Sequence, residues 1–475
     1  MNKKHHAHIG RDLTTGSIPE HMIKFSLPML MGSFLQVAYS FVNAIWVGQF
    51  LGTNALAAVT VSFPVLFALM ALGGGLTLAT NILVAQHYGA KRFEQLRRVV
   101  DSSTVLIAVV SLTLTLIGFF LSPHILKAMN TPSDVYPIAT TYLRITLLSL
   151  PFGFGLFLVR SMQQGIGDSK TPLYFQGASL IFMTILDPIL IFGLIGFPKL
   201  GLNGTAWASL IAQIGALLAI VIYLKKKDSI VALRLRGLRF DWETTWITVK
   251  IGIPSALQQS LVSIGMVVIT SLVNGFGELA TAAFGAASRI DQIAFMPAMS
   301  FGMASSTLAG QNIGAKKFDR VHQIILWGCI FSGVITLTIS LIAASFPHYL
   351  LKIFVQDERV IQIGVGYLHI VATCYIFFAM MFISNGIING SGHTLVTTFI
   401  SLVSLWAIRV PLAHFLSSHY QDVRGIWYAI SLSFFIAMSI SFSYFFIGKW
   451  KKTIARRMVK ETPPESVFGE ETGEA

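Results

Sequence analysis

The chain has 475 residues, of which 54% are hydrophobic and only 12% charged. An average soluble domain is about 25% charged, so an ordinary cytosolic enzyme, a disordered chain and a secreted disulfide scaffold are excluded, and a polytopic membrane protein remains. The net charge of +13 would suggest nucleic acid in a soluble chain; in a membrane protein it predicts cytoplasmic loops rich in Lys and Arg.

The polar N-terminus carries no signal-peptide pattern. Its His5, His6 and His8 read as a solvated tail. A bilayer core about 30 Å thick needs about 20 apolar residues per helix. Runs of that kind lie near 24–47, 55–82, 101–121, 138–160, 173–196, 204–224, 251–274, 280–305, 322–346, 362–388, 395–417 and 424–448. They predict an all-α polytopic fold of 12 transmembrane helices in two repeated six-helix bundles. Period-two alternation, the mark of a β-barrel, is absent. The expected organisation is an N-tail over 1–22, a first bundle over 23–224, a linker over 225–250, a second bundle over 251–448 and a C-tail over 449–475.

With both termini in the cytoplasm, 26 of the 34 basic residues fall in inner segments. Five (Lys127, Lys199, Lys352, Arg359 and Arg424) fall outside, and Arg144, Arg289 and Arg409 lie within spans. That asymmetry sets the orientation. The inner linker opens on Lys225, Lys226 and Lys227 and then carries Trp242 and Trp246, which predict a short interfacial helix ahead of the seventh span. The acidic tail after Lys460 is expected to be disordered. Cys329 and Cys374 lie in apolar runs and read as packing residues.

The chain repeats itself at an offset of about 225. Gln86-His87-Tyr88-Gly89-Ala90-Lys91-Arg92-Phe93 answers to Gln311-Asn312-Ile313-Gly314-Ala315-Lys316-Lys317-Phe318. Pro28 answers to Pro254, Gly52 to Gly277, Ala57-Ala58 to Ala282-Ala283, and Gly165 and Gly167 to Gly390 and Gly392. Six spans per half make the repeat parallel. Parallel halves around a path that rock against each other are the architecture of a transporter.

Pro28 with Gln36, the run from Phe41 to Gly48, the two Gln-x-x-Gly-Ala-Lys loops, Arg160 to Thr171 and Leu186-Asp187-Pro188 together resemble the multidrug and toxic compound extrusion (MATE) family. The resemblance covers about 20–450 and is nearer the branch of the DNA-damage-inducible transporters. The other bacterial branch has a glutamate in span seven where this chain has Val262. The resemblance implies a secondary antiporter that exports small organic compounds, often cationic and amphipathic, across the plasma membrane. It implies a monomer in the lipid bilayer, with no nucleic-acid partner, no enzymatic activity and no cofactor.

Only two acidic residues resist placement in loops, tails or span ends: Asp187 in span five and Asp291 in span eight. A mid-membrane carboxylate costs several kcal/mol, about 3 on insertion scales, unless protonated, paired or hydrated. Asp187 precedes Pro188, which frees a carbonyl one turn back, and the resemblance carries a cation-coupling role onto it. Where the family usually has an aspartate in span one, this chain has Asn43, with Tyr39 one turn earlier; Thr205 offers a hydroxyl. The family's asparagines of spans four and five are replaced by Phe157 and Met183. This loss of oxygen ligands favours H⁺ as coupling ion, with Na⁺ as the alternative. Asp291, Arg289, Gln36 and Gln259 are expected along the substrate path.

The alternatives are a lipid-linked saccharide flippase, which needs cavity arginines for pyrophosphate, and an intramembrane enzyme or sensor. Gly390-Ser391-Gly392-His393 superficially suggests a hydrolase but lacks nucleophile-elbow spacing and reads as a helix-connecting turn. His369 and His414 read as packing or interface residues. No metal motif, Walker motif or dinucleotide fingerprint is present.

Overall fold

A computed structural model describes residues 10–234 and 237–451. The histidine-rich N-tail and the acidic C-tail lie outside the described residues. Among these residues the regular structure is entirely helical. In lipid, backbone polar groups must be satisfied within the segment, and an apolar helix does this.

The first half comprises α1 (Ile18–Phe50), α2 (Gly52–Gly89), α3 (Phe93–Ala128), α4 (Tyr136–Gly165), α5 (Lys170–Phe192) and α6 (Leu202–Lys226). The second comprises α7 (Trp242–Asn274), α8 (Glu278–Gly314), α9 (Phe318–Ser345), the short α10 (Pro347–Lys352), a tenth span of α11 (Glu358–Val371) and α12 (Tyr375–Gly390), an eleventh of α13 (Thr394–Leu402) and α14 (Val410–Tyr420), and α15 (Arg424–Ile447). A π-helical stretch, Val403–Arg409, joins α13 to α14. All twelve expected spans coincide with helices. Eleven are long and apolar enough to cross a membrane. The remaining one, α8, is one residue shorter than its counterpart α2 but has fewer Leu and Val, more Ser, and Arg289 and Asp291 within it. Most of that polarity is buried against other helices rather than set against lipid.

One expectation fails. Trp242 and Trp246 do not form a separate interfacial helix: Asp241 caps the chain through the Thr244 amide at 2.9 Å, and α7 runs unbroken from Trp242 to Asn274. The Asp241 cap starts the helix at Trp242 and neither Gly252 nor Pro254 within it ends it, so continuation is cheaper than a second costly start. Both tryptophans remain exposed on its first turns.

The repeat persists in the backbone. Lys91 and Lys316 turn the chain at φ 58° and 60°, Gly52 and Gly277 at 82° and 93°, and Gly167 and Gly392 at 86° and 94°. Gly390 to His393 is thus a turn, the partner of the one at Gly165. The halves meet symmetrically. Gln86 Nε2 donates to the Gly390 carbonyl at 2.8 Å, and its counterpart Gln311 Nε2 donates to the Gly165 carbonyl at 2.9 Å. Between them α2 and α8 cross so closely that a Cβ on Gly89 would lie 1.9 Å from the Gln311 carbonyl oxygen, and one on Gly314 2.0 Å from that of Gln86. Hydrogen bonds joining the halves gather toward the end that carries the basic loops.

The two halves also exchange leading segments. Leu13, ahead of α1, and Ile18, Met22, Phe25 and Met29 of its first turns pack with Phe301, Ala304, Leu308 and Val321 of the second half. Val231 and Ile251, around the start of α7, pack with Leu76, Leu83, Leu96 and Val100 of the first.

Within the second half, α8 and α12 touch at Gly302 and Gly386, where a Cβ on Gly386 would sit 2.1 Å from the Gly302 carbonyl. Gly386→Val is therefore expected to destabilise the protein by about 3 kcal/mol or more through overpacking. Thermal unfolding in detergent checks this.

Candidate coupling and transport site

Asp187 lies on α5 five residues before its last residue and is wholly buried. Pro188 has no N–H, which leaves the Thr184 carbonyl without its helical donor. Tyr39 Oη donates to Asp187 Oδ2 at 3.3 Å, and Asn43 Nδ2 reaches Tyr39 Oη at 3.5 Å. Tyr39 and Asn43 stand four apart on α1 and so share a face. Asp187 Oδ1 is buried with no hydrogen-bond partner, and no cationic side chain pairs with Asp187 among the described residues. Toward the end of α5, Trp46, Phe50 and Phe192 form an aromatic cluster with ring centroids 5.3–6.0 Å apart.

Three of the four expected coupling residues thus converge. Thr205 does not join them by hydrogen bonding: its hydroxyl bonds to Leu202 O of its own helix at 2.9 Å. The structure adds Tyr142 of α4, which lies within electrostatic reach of Asp187. Sequence reading missed it, although a signal existed. Tyr142 plus 225 is Tyr367, and Tyr367 faces the other buried acid.

Asp291 is 9% exposed, and its two oxygens accept hydrogen bonds from Tyr367 and Tyr375 of the tenth span. Packing around the pair is aromatic: Tyr367 stands edge-on to Trp427, and Tyr375 edge-on to Phe295. Arg409, carried inward by the π-helical stretch, donates to Ser433 Oγ at 2.7 Å and lies 4.5 Å from the Phe434 ring centroid. Arg289 stands 6.0 Å from the Phe354 ring centroid. Asp291 and Arg289 are therefore not brought together with Gln36 and Gln259 on one surface: the acid is buried inside the second half, between tyrosines that pack on Trp427 and Phe295.

Gln36 and Gln259 are exposed although both lie within spans. Gln36 Oε1 accepts from Gln176 Nε2 at 3.4 Å, and Gln259 approaches Gly74 of α2 across the junction between the halves. At the far end of the first half, a cavity of about 460 Å³ is lined by Asn54, Thr141 and Asn203 among apolar neighbours.

The other polar candidates have local partners. Arg144 donates to the Phe119 carbonyl at 3.1 Å, and Arg160 to Gln176 at 3.3 Å. Ser391 Oγ lies 2.8 Å from His393 Nδ1 but also bonds to Ile388 O at 2.6 Å inside its turn. No acidic group orients that histidine, and the described residues hold no cluster of His, Cys, Asp and Glu fit for a metal.

Asp291→Asn keeps the shape and one acceptor, whereas Asp291→Leu leaves two buried phenols without partners, at about 1–3 kcal/mol each. Thermal unfolding is therefore expected to fall markedly for the leucine variant and only slightly for the asparagine.

Comparison with known proteins follows the same repeat. The MatE family model matches residues 28–189 and again 254–415. The "Probable multidrug resistance protein YoeA" of Bacillus subtilis is 33% identical over 453 residues, covering 94% of this chain and 96% of its own. The "Multidrug export protein MepA" of Staphylococcus aureus is 24% identical over 86% of this chain and 89% of its own. Among solved structures, an outward-facing multidrug resistance MATE transporter superposes with a TM-score of 0.87 at 23% identity, covering 94% of this chain and 99% of that one. A transporter of the broader superfamily from Pyrococcus furiosus gives 0.85 at 23% identity over 95% of this chain and 100% of that one. The family model matches once in each repeated half, and with a relative 33% identical over nearly the whole length this makes the chain a member of the MATE family of membrane transporters.

Proposed function

We propose that the chain is a secondary antiporter that exports small, amphipathic, often cationic organic compounds in exchange for protons, with Asp187 as the group that takes and releases the proton. The multidrug names of its relatives support the substrate class. The basic loops, 26 residues against five, support cytoplasmic termini in a plasma membrane. The observation that carries the coupling assignment is Asp187 itself. It is buried and accepts a bond from Tyr39, and among the described residues its second oxygen has no hydrogen-bond donor and no cationic side chain pairs with it. Such a carboxyl is stable in a membrane interior only with a proton or a bound cation.

Sodium needs several oxygen ligands, and around Asp187 the oxygens at hand are few. Tyr39 already donates to the acid, and Thr205 is bonded to Leu202. This favours H⁺ over Na⁺. One proton moving down a membrane potential releases about 2.3 kcal/mol per 100 mV, enough to oppose a tenfold substrate gradient of about 1.4 kcal/mol. Coupling requires that the proton bind the two conformations differently. Loss of water from around Asp187 when its half closes would supply that difference.

The flippase alternative is disfavoured by the arginines. Arg144, Arg289 and Arg409 have a carbonyl, an aromatic ring and a serine as neighbours in three separate places, so these three do not form a cluster for a pyrophosphate. The enzyme or sensor alternative loses its best motif to the turn at Gly390.

In proteoliposomes carrying an imposed pH gradient, Asp187→Asn is expected to abolish ethidium transport while inserting normally. Tyr39→Phe is expected to shift the pH dependence of transport and leave it measurable. Full wild-type transport by the asparagine variant, or transport that follows an imposed Na⁺ gradient with the pH gradient collapsed, would overturn the assignment.

A further inference from the structure

Each half is led by a segment that the other half grips. The segment at 10–17 precedes α1, and its carbonyls are held by the second half. Arg320 Nη1 donates to Gly16 O at 3.0 Å, and its Nη2 to Leu13 O and Thr15 O at 3.3 and 3.4 Å. Lys317 Nζ donates to Thr14 O at 2.8 Å, and Asn312 Nδ2 to Leu13 O at 3.2 Å. The same segment meets the first half at its α4–α5 turn, where the Arg11 amide donates to Ile166 O at 2.9 Å.

Residues 227–234 and 237–241 precede α7, and side chains of the first half bond to them at three places. Arg97 Nη1 donates to Ile230 O at 3.2 Å and Ala232 O at 2.6 Å. The Asp241 amide donates to Ser102 Oγ at 3.0 Å. Arg97 is fixed by an ion pair with the buried Asp101 at 2.8 Å, and Arg320 by a bond from its Nε to Asn312 Oδ1 at 2.9 Å. Arg97 stands in the second turn of α3 and Arg320 in the first turn of α9, the counterpart helix in the repeat.

From this we infer that Arg97 and Arg320 are paired clasps that lock the basic end of the transporter shut, and that their release is the step that opens it. An arginine fork is suited to this. It holds two or three carbonyls at once with charge-assisted bonds, and bonds gathered on one side chain break together when the segment they hold is withdrawn. Arg320 ties the strap at 10–17 to the second half while the Arg11 amide ties it to the first, and Arg97 and Ser102 hold the linker at Ile230, Ala232 and Asp241, where it leads into α7. The electrostatics agree: Asp12 of the strap is opposed by its own burial, but bonds from Thr14 and the charges of Lys91 in the first half and Lys317 in the second hold its carboxyl below the usual range.

This inference rests on the alternating-access part of the proposed function and not on the identity of the coupling ion. The test uses the full chain in lipid nanodiscs, with Cys329 and Cys374 replaced by serine. Spin labels are placed at Glu94 and Asp319, exposed and equivalent in the repeat. The variants are Arg320→Ala, and Arg97→Met combined with Asp101→Asn so that no buried carboxylate loses its partner. Each is expected to raise the ratio of long to short label distances by about tenfold, and the two together by more. Folded variants whose distance distribution matches the parent would overturn the clasps, even where their unfolding temperature falls, because the contacts would then be packing alone. Should the Arg97 variant not fold, Arg320→Ala and deletion of residues 1–16 carry the test. A parent chain that shifts its distances on adding tetraphenylphosphonium while the variants do not differ from it sinks the clasps alone. A single short distance in every variant and condition sinks alternating access as well.

Discussion

The crossing of α2 and α8 is the contact on which the rest of the molecule is built. Two glycines, Gly89 and Gly314, let the helix ends approach until main chain meets main chain, and two glutamines, Gln86 and Gln311, reach across in opposite directions to carbonyls that end α4 and α12. Close approach gains dispersion contacts, which matter in a membrane because lipid tails compete for apolar surface as well as leucine does. The amide bonds add direction. Every one of these groups belongs to a loop that the repeat duplicates, so a single local sequence, used twice, builds both faces of the joint.

This joint divides the polar residues into two kinds. Those that tie the halves together carry hydrogen bonds across a boundary, and can be broken and remade as a set. Those buried within a half are permanent. Asp291 with its two tyrosines is of the second kind: aromatic side chains enclose it, and its bonds stay inside one body. Asp187 shares the burial but differs in satisfaction, since one oxygen has no partner and its neighbour Tyr39 belongs to the helix whose first turns pack in the opposite half. A carboxyl that is part satisfied, on a helix pair linked to the moving boundary, is placed to feel the conformational change.

The near-equivalence of the two acids is not exact in register. Asp187 lies on span five and Asp291 on span eight, positions the repeat does not relate. Their tyrosines are related by the offset: Tyr142 and Tyr367 are 225 apart, Tyr367 bonds to Asp291, and Tyr142 lies within electrostatic reach of Asp187. The scaffold duplicated a polar position on spans four and ten, and each half supplied a carboxylate from a different helix.

Composition alone determined that the chain spans a membrane, because 12% charge cannot solvate a surface of this size. Spacing determined the spans, because each apolar run is as long as a bilayer is thick, and the offset of 225 determined the two halves. Asp187 was legible for the same energetic reason: in so apolar a segment an acid stands out. What only the tertiary structure decided came from contacts distant in sequence. Composition could not show that α7 absorbs the expected interfacial helix, that Thr205 turns to its own backbone, or that Asp291 is enclosed by tyrosines 76 and 84 residues away. Nor could it show the exchange of leading segments. An arginine in a basic loop has the same sequence signature whether it faces water or grips carbonyls, as Arg320 does some 300 residues from its partners. Hydropathy records how much of a segment prefers lipid, whereas the partners of its few polar atoms are set by packing geometry.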